Sequence, residues 1–121
     1  MAKVLIVDDA LFMRVAISKM FTEWGYEVIG EAANGKEAIA QYETLQPDLV
    51  TMDVTMPVMS GIDAVKEIIK KYPNARIIMV TALGQQRLIR EALESGAKDF
   101  ITKPFEPAFL RMVADKLMQD M

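Results

Sequence analysis

At 121 residues, 52% of them hydrophobic and 26% charged, the chain has the size and composition of one globular domain with room for a substantial core. It has no histidine and no cysteine, which excludes catalytic triads, thiol enzymes, disulfides and the usual zinc sites; its net charge of -3 leaves no basic surface fit to bind nucleic acid directly. The apolar run at the amino terminus is too short for a signal peptide or a spanning helix, so the expectation is a soluble, cytoplasmic protein with no membrane attachment.

Val4 to Val7 is that apolar, largely β-branched run, and it predicts the first strand, with Asp8 and Asp9 directly after it. Met13, Ala16, Ile17, Met20, Phe21 and Trp24 follow at helical spacing, and Gly25 stops that helix. Glu27 to Gly30 predicts a second strand running toward the small Ala32 and Ala33, and Ala38, Tyr42 and Leu45 mark a second helix that ends before Pro47. Leu49 to Met52 is the third strand, followed by Asp53; Ile62, Val65, Ile69 and Tyr72 form a third helix stopped before Pro73. Arg76 to Val80 is the fourth strand, followed by Thr81, and Leu88, Ile89, Ala92 and Leu93 make a fourth helix with Gly96 as its terminal glycine. Phe100 to Thr102 is the fifth strand, followed by Lys103. Pro107 sits in the first turn of a fifth helix carrying Leu110, Val113, Ala114, Leu117 and Met121.

The first and fourth strands are apolar nearly throughout, the pattern of strands covered on both faces, which favours a parallel sheet. Five βα units with right-handed crossovers make a single doubly wound α/β domain over residues 1–121. Its ligand is expected beyond the carboxyl ends of the strands.

Asp8, Asp9, Asp53, Thr81 and Lys103 all leave the strands at that end. Two carboxylates about 4 Å apart repel by roughly 4 kcal/mol at an effective dielectric of 20, and one lysine cannot balance three. A divalent cation can, and an all-oxygen site open to water suits magnesium, which keeps positions for phosphate oxygens. Asp53, once ionised, needs no general base to attack phosphorus and form an aspartyl phosphate, so the missing histidines are no obstacle. Magnesium, Lys103 and the Thr81 hydroxyl would then share the three equatorial oxygens. Each residue also has a plain reading. Asp8 or Asp9 suits a helix N-cap, Asp53 a turn, Thr81 an ordinary strand end, and a lone lysine is usually solvated. Pro104 could hold a cis bond that aims Lys103 into the site, and Met56 and Met59 are candidates for exposure among ten methionines that otherwise fill core gaps.

VLIVDDA from residue 4, MDVTMPVMSG from 52, IIMVTAL from 77 and GAKDFITKPF from 96 together resemble the receiver domains of two-component response regulators, in particular the single-domain chemotaxis type, along the whole chain. The resemblance implies the family's flavodoxin-like strand order, 2-1-3-4-5. It implies Asp53 as phosphoacceptor, with Asp8, Asp9, Asp53 and the Thr55 carbonyl around Mg2+ and Lys103 on the phosphoryl group. Thr81 would move toward that group and Phe100 would turn inward behind it. Many relatives have tyrosine at that position, so here packing alone must bias the rotamer. Thr55 and Leu83 would tune self-dephosphorylation.

The implied partners are a sensor histidine kinase donating from a phosphohistidine, with small acyl phosphates as a second donor, a flagellar motor switch protein, and a dedicated phosphatase. The protein would be a monomer and a switch that catalyses only its own phosphorylation and dephosphorylation. Output would be read from the fourth helix, fifth strand and fifth helix, where Phe109 and Met112 fall partly off the core stripe; a wide buried face is the favoured account of those two. If Met121 is the natural end, action is through a partner. Otherwise the chain is the receiver module of a larger DNA-binding regulator or phosphorelay protein. An aspartate-nucleophile phosphatase is the remaining alternative, marked by turnover of a generic phosphomonoester.

Overall fold

The computed structural model describes residues 1–119, so Met121 of the expected fifth helix lies outside the described residues. Strands and helices alternate in the order β1 (Lys3–Val7), α1 (Leu11–Glu23), β2 (Glu27–Ala32), α2 (Gly35–Leu45), β3 (Leu49–Asp53), α3 (Gly61–Lys71), β4 (Ile77–Ala82), α4 (Gln86–Glu94), β5 (Asp99–Lys103) and α5 (Pro107–Gln119). The strands form one sheet in the order β2-β1-β3-β4-β5, and every neighbouring pair is parallel. This is the doubly wound, flavodoxin-like α/β fold.

Because side chains alternate across a strand, the central strands feed two cores at once. Leu5, Val7, Val50, Met52 and Met79 pack against Ala38 and Tyr42 of α2, Ile62, Val65 and Ile68 of α3 and Ala92 of α4. Val4, Ile6, Leu49, Ile78 and Val80 pack on the opposite face against Ile17 and Phe21 of α1 and Leu110, Val113 and Ala114 of α5. All five residues of β3 are buried, whereas edge strand β2 is mostly half-covered. Fully burying one such Leu, Ile or Phe contributes roughly 1.5–3 kcal/mol.

The strands run further than the apolar runs. β2 continues to Ala32, β3 takes in Asp53, β4 spans Ile77–Ala82 and includes Thr81, and β5 reaches Lys103, because ladder pairs Val7↔Ala32, Asp53↔Val80 and Ala82↔Lys103 extend each strand past the apolar run that predicted it. Two helices begin on side-chain caps. Asn34 accepts from the Glu37 amide at 2.9 Å while Glu37 Oε1 accepts from the Ala33 amide at 3.0 Å, and Ser60 accepts from the Asp63 amide at 3.2 Å. Among the described residues no helix is long and apolar enough to cross a membrane.

Candidate functional site

The carboxyl ends of β1, β3, β4 and β5 deliver the expected cluster to one rim of the sheet. Parallel pairing puts these ends side by side: Val7 lies opposite Met52, Asp53 opposite Val80, and Ala82 opposite Lys103. One carboxylate oxygen each from Asp8, Asp9 and Asp53 lies within 4.8 Å of the others. Asp8 and Asp53 are buried, at 1% and 7% exposure, and Thr81 is buried completely, while Asp9 faces water.

Lys103 reaches into the cluster, with Nζ 2.9 Å from Asp8 Oδ2 and 3.6 Å from Asp53 Oδ1. Burial works against its charge, but the hydrogen bond to Asp8 and the charges of Asp53 and Asp8 prevail and raise its pKa above the usual lysine value. Burial, and next the charge of Asp8, push the Asp53 carboxyl up to about 6, against the pull of Lys103 and of the Val54 amide, which donates to Oδ1 at 2.9 Å. Three carboxylates face one ammonium here. The donor set is all oxygen and short of positive charge, which fits a hard divalent cation held by Asp8, Asp9 and Asp53.

Several of the plain readings fail on this geometry. The residue at the start of α1 is Ala10, with no side-chain cap; Asp8 Oδ1 instead accepts from the Ala10 amide at 2.9 Å, so neither aspartate caps the helix. Lys103 is not simply solvated. Met56 is buried and Met59 half-buried, because the segment between β3 and α3 folds back over the first core. Phe109 and Met112 are 48% and 61% exposed, so the buried face of α5 does not widen beyond its core stripe to take them in. Phe100 is also exposed, at 36%, and lines a groove of about 520 Å³ with Leu83, Gly84 and Leu93. The Lys103-Pro104 bond is cis.

Three residues of the site carry no signal in apolar periodicity. Arg14 of α1 donates from Nη1 to the Asp8 carbonyl at 2.7 Å and from Nε to Glu31 at 3.1 Å, which ties the loop after β1 to the edge strand. Gly61 opens α3 where an added Cβ would lie 1.9 Å from the Asp53 carbonyl oxygen; only glycine lets the loop after β3 pass this close. Gln85 joins two expected site residues: Thr81 Oγ1 donates to its Oε1, and its Nε2 donates to Thr55 Oγ1 at 3.1 Å. The Gly61 signal was present in MDVTMPVMSG; Arg14 and Gln85 lie in none of the four motifs.

Known proteins share both sequence and shape. The chain is 59% identical over 106 residues to the chemotaxis protein CheY of Thermotoga maritima, with 88% of each chain covered. It is 51% identical over 118 residues to the protein CcdB of Bacillus subtilis, with 98% of each covered. Among solved structures, CheY in a CheX–CheY complex with BeF3 and magnesium from Borrelia burgdorferi superposes with a TM-score of 0.92 at 39% identity, over 97% of this chain and 89% of that one. The response regulator receiver domain matches residues 4–115, and with this sheet order and this cluster at its rim the chain belongs to that family.

Proposed function

We propose that this receiver domain is a phosphorylation-operated switch of a chemotaxis pathway. Asp53 accepts a phosphoryl group from a phosphohistidine on a sensor kinase, and the phosphorylated protein then binds a downstream partner, the flagellar motor switch. The observation that carries the reading is the buried Asp53 carboxylate at the end of the central strand, with two more carboxylates and the Lys103 ammonium gathered on it.

An Asp53 carboxylate oxygen forms the new bond to phosphorus as the phosphorus–nitrogen bond of the donor breaks; the bonding pair stays on the imidazole, which takes a proton. Asp8, Asp9, Asp53 and the Thr55 carbonyl are the holders for Mg2+, which when bound supplies charge neutralisation to the transferring group. Lys103 already lies between Asp8 and Asp53 and needs only a small shift to meet a phosphoryl oxygen. The Thr81 hydroxyl supplies a further donor once it turns toward Asp53, and Phe100, now exposed, occupies the space behind it.

The names of the relatives support the chemotaxis role, and the Borrelia complex supports a CheX-like protein as a partner beside the dedicated phosphatase we propose. Such a pathway operates in the cytoplasm, with this chain as a monomer. The test is intact-protein mass after incubation with acetyl phosphate and Mg2+. Wild type should gain one phosphoryl group, lost on chelation and in Asp53→Asn. Equal labelling of the variant would sink the assignment of Asp53, and steady turnover of a generic phosphomonoester would instead support a phosphatase.

A further inference from the structure

Gln85 immediately precedes α4, yet its side chain makes no capping bond to that helix. Its amide is spent on the site instead, taking the Thr81 hydroxyl proton on Oε1 and donating from Nε2 to Thr55 Oγ1. A threonine hydroxyl has one proton to donate, so Thr81 cannot serve Gln85 and a phosphoryl oxygen on Asp53 at once. Thr81 is wholly buried, and the Ala82 carbonyl at 3.5 Å is at the limit of a hydrogen bond, so losing Gln85 without gaining a phosphoryl oxygen is costly.

Position in the sheet links this bond to Phe100. Thr81 lies opposite Thr102 and Met79 opposite Phe100, so Phe100 and Thr81 are diagonal neighbours on the α4 face of the sheet. Leu83 and Gly84, between Thr81 and Gln85, line the same groove as Phe100. Whatever holds Gln85 therefore holds the segment that borders the Phe100 ring.

We propose that Gln85 is a positioning residue that latches the unphosphorylated state: it keeps the Thr81 hydroxyl turned away from Asp53 and ties Thr55 to the start of α4, so that its hydrogen bonds set the cost of switching. This rests on the phosphoacceptor reading above for its consequence, but not for the latch itself.

Gln85→Met keeps the size of the side chain and removes both bonds, while Gln85→Glu keeps an acceptor for both threonine hydroxyls. Two readouts separate the claims. In the unphosphorylated protein, three-bond couplings should report a single Thr81 χ1 rotamer in wild type and Gln85→Glu, and rotamer averaging in Gln85→Met. The rate of labelling by acetyl phosphate with Mg2+ should rise about threefold to tenfold in Gln85→Met, the worth of one neutral hydrogen bond, because less of the competent state is held back. An unaltered Thr81 rotamer in Gln85→Met, or equal averaging in Gln85→Glu, overturns the latch. Averaging with an unchanged labelling rate overturns its control of switching. Failure of wild type to label at all sinks the phosphoacceptor reading, while the rotamer comparison still decides the latch.

Discussion

Asp53→Asn should make the metal-free protein more stable at neutral pH, although it removes the residue at the centre of the site. The folded protein holds the Asp53 carboxyl at about 6, through burial first and the Asp8 charge second, against an ordinary value near 4 in the unfolded chain. A shift of about 2 units corresponds to roughly 3 kcal/mol at 1.36 kcal/mol per unit, and this is the cost of keeping Asp53 charged in the fold. Asparagine removes that charge and its Oδ1 still accepts from the Val54 amide; the pull of Lys103 is already contained in the net shift, and with solvent screening the observed gain should be about 1–3 kcal/mol.

The sign follows from proton counts. Between about pH 4 and pH 6 the folded wild type binds more protons at this group than the unfolded chain does, so its stability falls as pH rises through that window and stays lower above it. The variant lacks this loss. Its advantage is therefore full at pH 7, fades through the window, and is gone below about pH 4, where the carboxyl is protonated in both states. Urea denaturation at pH 7 and pH 4 without metal measures it. Saturating Mg2+ should shrink the gap, because ligand binding stabilises wild type by about 2.7 kcal/mol at a hundred times Kd and the variant has lost one carboxylate. Equal stability at pH 7 without metal, or an advantage independent of pH, would refute the reasoning.

Two further expectations concern the segment between β3 and α3. Gly61→Ala places a methyl 1.9 Å from the Asp53 carbonyl oxygen, against backbone that cannot yield, so it should cost about 3 kcal/mol or more in urea denaturation and lower labelling at Asp53 with it; a wild-type midpoint would show that the loop moves freely. Val58 is exposed yet holds φ at 69°, a left-handed conformation costly for a β-branched residue, so Val58→Asn should raise stability by roughly 0.5–1 kcal/mol, and an unchanged or lowered midpoint would contradict that strain.

The five βα units were legible because continuous apolar runs such as Val4 to Val7 and helical spacings such as Met13 to Trp24 are local patterns that burial on two faces or one imposes directly. Strand ends were not. Asp53, Thr81 and Lys103 are polar, and they count as strand only because a neighbouring strand pairs with them. The wide buried face favoured for Phe109 and Met112 likewise fails, since the width that is covered depends on where α5 lies over the sheet, and both residues fall outside it.

The sequence alone determined a single α/β chain of five repeats, without histidine or cysteine chemistry, whose acidic, hydroxyl and lysine side chains collect at one end of a parallel sheet. That much follows from periodicity and from the rule that parallel strands all point the same way. Tertiary structure decided the pairings that give the cluster its electrostatics. Lys103 reaches Asp8 across 95 residues of chain, Arg14 clamps the Asp8 carbonyl, Gln85 takes the Thr81 hydroxyl, and Gly61 packs on the Asp53 backbone. The Lys103 contact has no local signature, because it depends on sheet order and register; Arg14 and Gln85 lie only six and four residues from their partners, and there the fold of the loops after β1 and β4 decides the contact.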